Sequence, residues 1–255
     1  MNEATSFEAN DRFSRVRLLM GKDKLARLHK ARITVIGLGA VGAQAVEALA
    51  RAGVGSFRLV DFDVIRSSNI NRHIWATEAT MGRSKSAVAV ERLHLINPKI
   101  KAEAFELFAA QETFNQIFDN KPDLVIDAVD SLSPKIQLLA ECYHQSLTVI
   151  SSMGAATRTD PSKIKVADIF ETKICPLAAR IRRGLKELNI GTGITCVYSD
   201  QPQNIHAVST EVLRDEGEYQ RGRVRKTLGS LPTITGMFGL TIAHVAIEKI
   251  CNGWE

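Results

Sequence analysis

The chain is expected to be an α/β protein built on a doubly wound, mostly parallel sheet with a C-terminal extension. Three observations predict this. Short β-branched apolar runs alternate with amphipathic stretches between residues 33 and 151. A Gly-x-Gly-x-x-Gly spacing, made by Gly37, Gly39 and Gly42, lies between the first apolar run and the stretch after it. The 255 residues are 45% hydrophobic, enough for the core of one large domain.

Residues 12–30 read as a helical lead-in, with Leu18, Leu19, Leu25 and Leu28 among charged residues. Residues 33–36 (ITVI) are a buried strand. Residues 41–52 put Val41, Ala45, Ala48, Leu49 and Ala52 on one helical face, and Gly53 and Gly55 end that helix. Residues 57–60 form the second strand. Residues 84–95 read as a helix stopped at Asn97-Pro98, residues 100–105 as a strand and 111–119 as a short helix. Residues 124–128 (LVIDA) are a buried strand, 134–144 a helix opening at Ser133, and 147–151 the next strand. Such alternation predicts parallel pairing with right-handed crossovers.

Beyond Gly154 the pattern loosens. Residues 164–169 and 194–198 read as strands, 176–188 as a basic helix, and 200–230 as a long polar and basic loop or lid. Residues 231–250 are long enough to span a bilayer. They carry Thr233, Thr235, Thr241, His244, Glu248 and Lys249, so a buried closing helix is expected and no membrane.

The net charge of +5 permits an anionic partner such as a nucleotide or RNA. The four cysteines, Cys142, Cys175, Cys196 and Cys251, form no Cys-x-x-Cys pair, which argues against a zinc knuckle. Their spacing offers no disulfide framework, and a reducing, cytoplasmic setting is expected. No apolar run opens the chain, so no signal peptide is expected. Cys196 reads as strand packing, Cys175 as the more exposed thiol beside Lys173.

The glycine spacing carries the chemistry. The first glycine allows the tight turn, the second lets phosphate approach the backbone, and the third lets helix and strand pack closely. Free N–H groups and a positive dipole at the helix start favour an anion. Asp61 ends the second strand, where an acidic side chain can accept from ribose hydroxyls. Alone, this Rossmann-like fingerprint fits NAD. The residues after Asp61 point to a different ligand. Asp63 is another candidate nucleotide-site residue, and Asn69, Arg72 and Lys85 add groups that can meet more phosphate charge and can neutralise a departing pyrophosphate. Asp130 comes after the strand at 124–128 and suits Mg²⁺ bridged to a triphosphate. Each has a plainer alternative: Asp63 capping a turn, Arg72 and Lys85 as solvated charges, Asp130 as a helix cap.

The runs GLGAVG, LVDFDVIRSSNINRH, GRSK and DAVDS, over roughly residues 12–153, resemble the ubiquitin-activating-enzyme superfamily, which includes the adenylyltransferases of molybdopterin and thiamine biosynthesis. Ala40 stands where many relatives have another glycine. The resemblance implies an ATP-using, adenylate-forming enzyme. Gly37, Gly39 and Gly42 would shape the loop under the α-phosphate, Asp61 would bind ribose, Asn69, Arg72 and Lys85 the triphosphate, and Asp130 Mg²⁺. Arg15 would reach across a homodimer into the neighbour's ATP site. Further on, SMGA (152–155), DPSKI (160–164), PLAAR (176–180) and CVYS (196–199) resemble the tRNA threonylcarbamoyladenosine dehydratases. That likeness implies tRNA carrying threonylcarbamoyladenosine as substrate, its carboxylate activated by ATP, the modification closed to a cyclic oxazolone and AMP released. Arg72, Lys85 and Asp130 would be the catalytic groups. The chain then reads as a single domain over 1–255, with a nucleotide-binding core at 1–153 and a substrate-binding extension at 154–255.

Two basic segments fit an RNA backbone: Arg180, Arg182, Arg183 and Lys186 on the helix at 176–188, and Arg214, Arg221, Arg223, Arg225 and Lys226 in the loop. Such contacts would be salt-sensitive and blind to sequence; a solvated helix face and loop are the alternative. Other functions stay open. An adenylyltransferase for a ubiquitin-like sulfur-carrier protein would need a Gly-Gly-tailed partner. A nucleotide-binding scaffold without catalysis is less consistent with Asp61, Arg72, Lys85 and Asp130 all being present. Whether a sulfur-transfer partner protein accompanies the chain is left open.

Overall fold

The structure, a computed structural model, describes residues 11–209 and 227–252. In chain order the elements are α1 (Ser14–Lys30), β1 (Arg32–Ile36), α2 (Ala40–Ala52), β2 (Ser56–Val60), α3 (Lys85–Ile96), β3 (Lys101–Phe105), α4 (Phe114–Ile117), β4 (Leu124–Asp127), α5 (Leu132–His144), β5 (Val149–Ser152), β6 (Ile164–Asp168), α6 (Pro176–Glu187), β7 (Thr195–Ser199) and α7 (Pro232–Cys251). One seven-stranded sheet runs β3-β2-β1-β4-β5-β7-β6. All pairs are parallel except β6 with β7. The order reverses between β1 and β4. In doubly wound sheets the crevice at the carboxyl ends of such a strand pair is where ligands bind.

β1 shows how the core divides. Its side chains alternate across the sheet. Ile33 and Val35 join the cluster formed with α2, α3 and α7. Ile36 joins the opposite cluster, with α4, α5 and α6. The sheet is therefore covered on both faces, as parallel sheets require.

Several boundaries differ from the sequence reading. The lead-in helix breaks at Gly21, whose φ of 83° and ψ of 166° are not helical. The expected helix at 111–119 shrinks to the single turn of α4. There the Thr113 hydroxyl donates to Phe108 O at 2.8 Å and accepts from Ala110 N–H at 3.0 Å, so a side chain takes over backbone partners. α5 opens at Leu132 with Ser131, not Ser133, at the cap position. Pro134 then sits inside the first turn, where its missing N–H costs no helical bond. Within the expected loop at 200–230, residues 205–207 form a 3₁₀ turn and Val208 bridges Leu228. The basic residues Arg214, Arg221, Arg223, Arg225 and Lys226 lie outside the described residues.

α7 is long and apolar enough to cross a membrane. It packs as a core helix on α2. A Cβ on Gly239 would stand 2.6 Å from Val41 O and 2.7 Å from Gln44 Cβ, so the two helices touch through glycine. α6 buries Ala178, Ile181 and Leu185 and turns Arg180, Arg183 and Lys186 to solvent. Arg182 departs from the expected basic face: its guanidinium donates to Ile169 O at 3.3 Å and to the Thr172 hydroxyl.

Candidate nucleotide site

The three glycines of the β1–α2 turn are needed for three different reasons. Gly37 has φ of +89°, and a Cβ there would lie 2.8 Å from both the carbonyl carbon and oxygen of Ala128. It sits where the ends of β1 and β4 meet. A Cβ on Gly42 would fall 2.0 Å from Gly37 O, so α2 approaches the turn only with glycine at that position. Gly39, the residue before α2, faces open space, with nothing within 4 Å of an added Cβ. The first and third glycines serve backbone contact, while the second leaves room for a ligand at the orphan N–H groups of the helix start.

Leu38, between the glycines, is held at both ends. Its N–H donates to Asp61 Oδ2 at 2.7 Å. Its carbonyl is 2.6 Å from His73 Nε2. Trp75 N–H donates to His73 Nδ1 at 3.1 Å, so the ring is neutral and Nε2 carries the proton to Leu38 O. Burial pushes the His73 pKa down to about 4. The Trp75 indole donates to Glu47 at 3.1 Å, and Arg51 and Arg92 donate to the same carboxylate. Burial opposes ionisation of Glu47, but Arg92, Trp75 and Arg51 together bring it down to about 2.

These shifts predict acid sensitivity of the cradle's support. His73 in the unfolded chain takes up a proton below about 6.5, while the folded chain resists until about 4. Between those values the unfolded state binds more protons, so stability falls as pH falls. From pH 7 to pH 5 the loss expected from His73 is about 2 kcal/mol. Glu47 adds its own loss below about 4.5, completed near 2. Urea unfolding at both pH values checks this: His73→Gln should remove most of the pH 7 to 5 slope. An unchanged slope in that variant would reject the assignment.

The other sequence-nominated residues gather on the segment from 61 to 85. It leaves β2 and folds back on itself: Ile65 N–H donates to Arg83 O at 2.9 Å, Gly82 N–H to Ile65 O at 2.9 Å, and Lys85 N–H to Asp63 O at 3.0 Å. Asp61 is buried and accepts from both Leu38 and Asp63 N–H groups; burial raises its pKa against those donors. Lys85 is buried and its ammonium is 2.6 Å from Asp63. Asp63 also faces Arg66 at 3.3 Å. Burial opposes the Asp63 charge, but Lys85 and Arg66 hold its pKa below the usual carboxylate value. An ammonium has three donors, so Lys85 keeps capacity for an anion.

Asn69 accepts from Arg66 N–H at 3.1 Å, and the half-buried Arg72 donates to Ser68 O at 2.7 Å and Asn71 Oδ1 at 2.9 Å. Asp130 is exposed after β4 and accepts from the Ser131 hydroxyl at 3.4 Å. It is not the cap of α5, which is Ser131. Arg15 is exposed on α1. Among the described residues no three His, Cys, Asp or Glu side chains gather to hold a metal. A single carboxylate at the site fits a cation that is shared with nucleotide phosphates.

Sequence reasoning missed the support beneath Asp130. Asp127 and Lys135 form an ion pair at 2.7 Å with both side chains fully buried. Ser151 donates to Asp127 at 2.7 Å. The Val129 peptide is gripped by the same pair: its N–H donates to Asp127 Oδ1 at 3.1 Å and its carbonyl accepts from Lys135 at 2.8 Å. The available signal was an acid inside the apolar run LVIDA, which requires a buried partner. The cysteines also need correction. All four are buried, including Cys175, for which the sequence suggests a surface position. Burial raises the Cys142 and Cys251 thiols and pushes Cys196 up to about 12, so none of these three has the depressed pKa of a nucleophile.

The fold and the cradle together define a nucleotide-binding α/β domain of the doubly wound type, with cationic groups placed beyond the glycine turn. A model of the ThiF family matches residues 13–253, and the chain belongs to that family. It is similar to the tRNA threonylcarbamoyladenosine dehydratase of Bacillus subtilis, 37% identical over 93% of this chain and 94% of that protein. A crystal structure of the Escherichia coli tRNA N6-threonylcarbamoyladenosine dehydratase in complex with ATP superposes with a TM-score of 0.83, at 30% identity, covering 94% of this chain and 93% of that one. The molybdopterin-synthase adenylyltransferase of Salmonella typhimurium is 33% identical over 73% of this chain and 72% of that protein.

Proposed function

We propose that the chain catalyses the ATP-dependent dehydration of threonylcarbamoyladenosine in tRNA. The observation that carries this is the reach of the likeness. The dehydratases match over nearly the whole chain, whereas the adenylyltransferase leaves about a quarter of it unmatched. In this reading residues 1–153 bind the nucleotide, and residues 154–255 meet the tRNA.

In this reading the threonyl carboxylate attacks the α-phosphorus of ATP and pyrophosphate leaves. The ureido oxygen of the same modification then attacks the activated carbonyl, and AMP departs. Proximity supplies much of the second step, so no enzyme thiol is required. The Gly39 gap takes the α-phosphate, and Asp61 the ribose. Asn69, Arg72 and Lys85 meet the triphosphate. Asp130 would hold Mg²⁺, which would supply positive charge to offset the leaving pyrophosphate. The exposed cations of α6 face the tRNA backbone.

The test is direct. Purified protein is incubated with ATP, Mg²⁺ and tRNA carrying threonylcarbamoyladenosine, and the digested nucleosides are weighed. Loss of one water, dependent on ATP, is the expected result. An unchanged nucleoside, with AMP formed only when a Gly-Gly-tailed carrier protein is supplied, would replace this reading by the sulfur-carrier one. The same assay with and without a sulfur-transfer protein tells whether such a partner contributes.

The reading includes a homodimer. Leu18 and Leu19 are 73% and 83% exposed on α1, close in sequence to Arg15. Exposed apolar side chains grouped in this way suit an interface. The double variant Leu18→Glu/Leu19→Glu is expected to sediment as a monomer and to lose at least about tenfold in activity, because Arg15 no longer reaches the neighbouring site. Arg15→Ala should keep the dimer and lose activity alike. A wild-type protein that sediments as a monomer would end the dimer reading.

A further inference from the structure

Arg158 is among the largest fully buried side chains, at 2% exposure, and among the described residues it makes no ion pair. Among the described residues its Nε has no hydrogen-bond partner, and its Nη1 donates only to the adjacent Thr157 hydroxyl, at 3.3 Å. A buried guanidinium left in this state is costly and calls for an anion. Among the described residues no carboxylate supplies one: Asp200, which follows β7, has its own buried Oδ1 without a partner there. The backbone is set to hold Arg158 there. Thr157 has φ of 62°, rare for a β-branched residue. It is fixed from two distant segments, its N–H donating to Gly229 O at 2.8 Å and its carbonyl accepting from Asn204 N–H at 3.3 Å.

The surroundings add positive potential. The guanidinium is in electrostatic range of Cys175, the cap residue of α6. Cys175 gives no side-chain cap to that twelve-residue helix, so its first N–H groups lack the usual acceptor. A buried cation at the positive end of a helix has the wrong sign for structure alone. Arg158 lies on the segment that leaves the carboxyl end of β5, the neighbour of β4 in the sheet, and β4 ends at the nucleotide cradle.

We infer that Arg158 and the amino end of α6 form a second anion pocket, which takes the carboxylate of the threonylcarbamoyl group and selects modified tRNA. The inference rests on the dehydratase reading and assigns the residue that recognises its substrate. Arg158 holds the carboxylate as a planar fork before it reacts.

The experiment compares wild type, Arg158→Lys and Arg158→Gln in three measurements. The first is binding of threonylcarbamoylated and unmodified tRNA. Wild type should prefer the modified form; Arg158→Gln should lose at least about tenfold of that preference, ~1.4 kcal/mol, while binding unmodified tRNA as wild type does. The second is thermal unfolding. Removing an orphan buried cation should leave Tm unchanged or raise it, and free threonylcarbamoyladenosine should raise the Tm of wild type but not of Arg158→Gln. The third is the KM for ATP, which should stay constant. A lowered Tm with preference retained would make Arg158 structural and overturn the inference. A raised KM for ATP with preference retained would assign the pocket to a nucleotide phosphate and overturn it too. An inactive wild type that does not discriminate the two tRNAs would instead remove the dehydratase reading itself.

Discussion

Asp130→Ala is expected to lower kcat/KM for modified tRNA about a thousandfold, ~4 kcal/mol of transition-state stabilisation, while Tm moves by less than about 2 °C. The two halves of this expectation have separate causes. Asp130 is exposed on the turn between β4 and α5 and does not cap the helix, and substitutions at exposed positions away from caps and cores typically cost little stability. Asp130 is also the carboxylate directly after the fixed Val129 peptide, at the switch point where Gly37 touches Ala128. A cation shared between that carboxylate and the nucleotide would be weakened, and charge on pyrophosphate would develop unopposed. Single-turnover assays on threonylcarbamoylated tRNA, read by nucleoside mass, measure the loss. Isotope exchange between pyrophosphate and ATP locates it at adenylation. A variant within tenfold of wild type would remove Asp130 from the catalytic groups.

The parts of this site that are legible in the sequence are those encoded locally. The turn at Gly37, Gly39 and Gly42 is specified by backbone sterics within a few residues, and the geometry gives each glycine a separate duty. β1 and β4 can be placed to within a residue or so because each is buried on both faces over nearly its whole length and so is mostly apolar. Contacts between distant segments are not legible. Nothing in the sequence says that His73 Nε2 meets the carbonyl of Leu38, or that Glu47 gathers Trp75, Arg51 and Arg92. Local competition misleads as well. The Thr113 hydroxyl shortens α4, and Gly21 divides α1, both against an otherwise helical pattern. Cys175 looks exposed beside Lys173, yet the loop before α6 folds it inward.

Lys135→Met is expected to destabilise the protein by about 3–5 kcal/mol, because it strands the Asp127 carboxylate in a fully buried position. Ser151 and the Val129 N–H would still donate to that carboxylate, but neither carries charge. A second substitution separates this penalty from the pair's net worth. Asp127→Leu/Lys135→Met replaces both charges by apolar groups of similar size, and such replacements of buried pairs are often neutral or stabilising. Most of the lost stability should therefore return in urea unfolding, with strong non-additivity between the two sites. Activity should not return with it. Asp127 and Lys135 grip opposite ends of the Val129 peptide, and Asp130 is the next residue. Without the grip, the carboxylate keeps its chemistry and loses its position, and an error near 1 Å costs about a hundredfold. A double variant as unstable as Lys135→Met alone would mean the pair is worth more than its desolvation penalty. One that is both stable and fully active would show that the turn holds Asp130 in place without it, and the buried pair would then have no part in positioning the site.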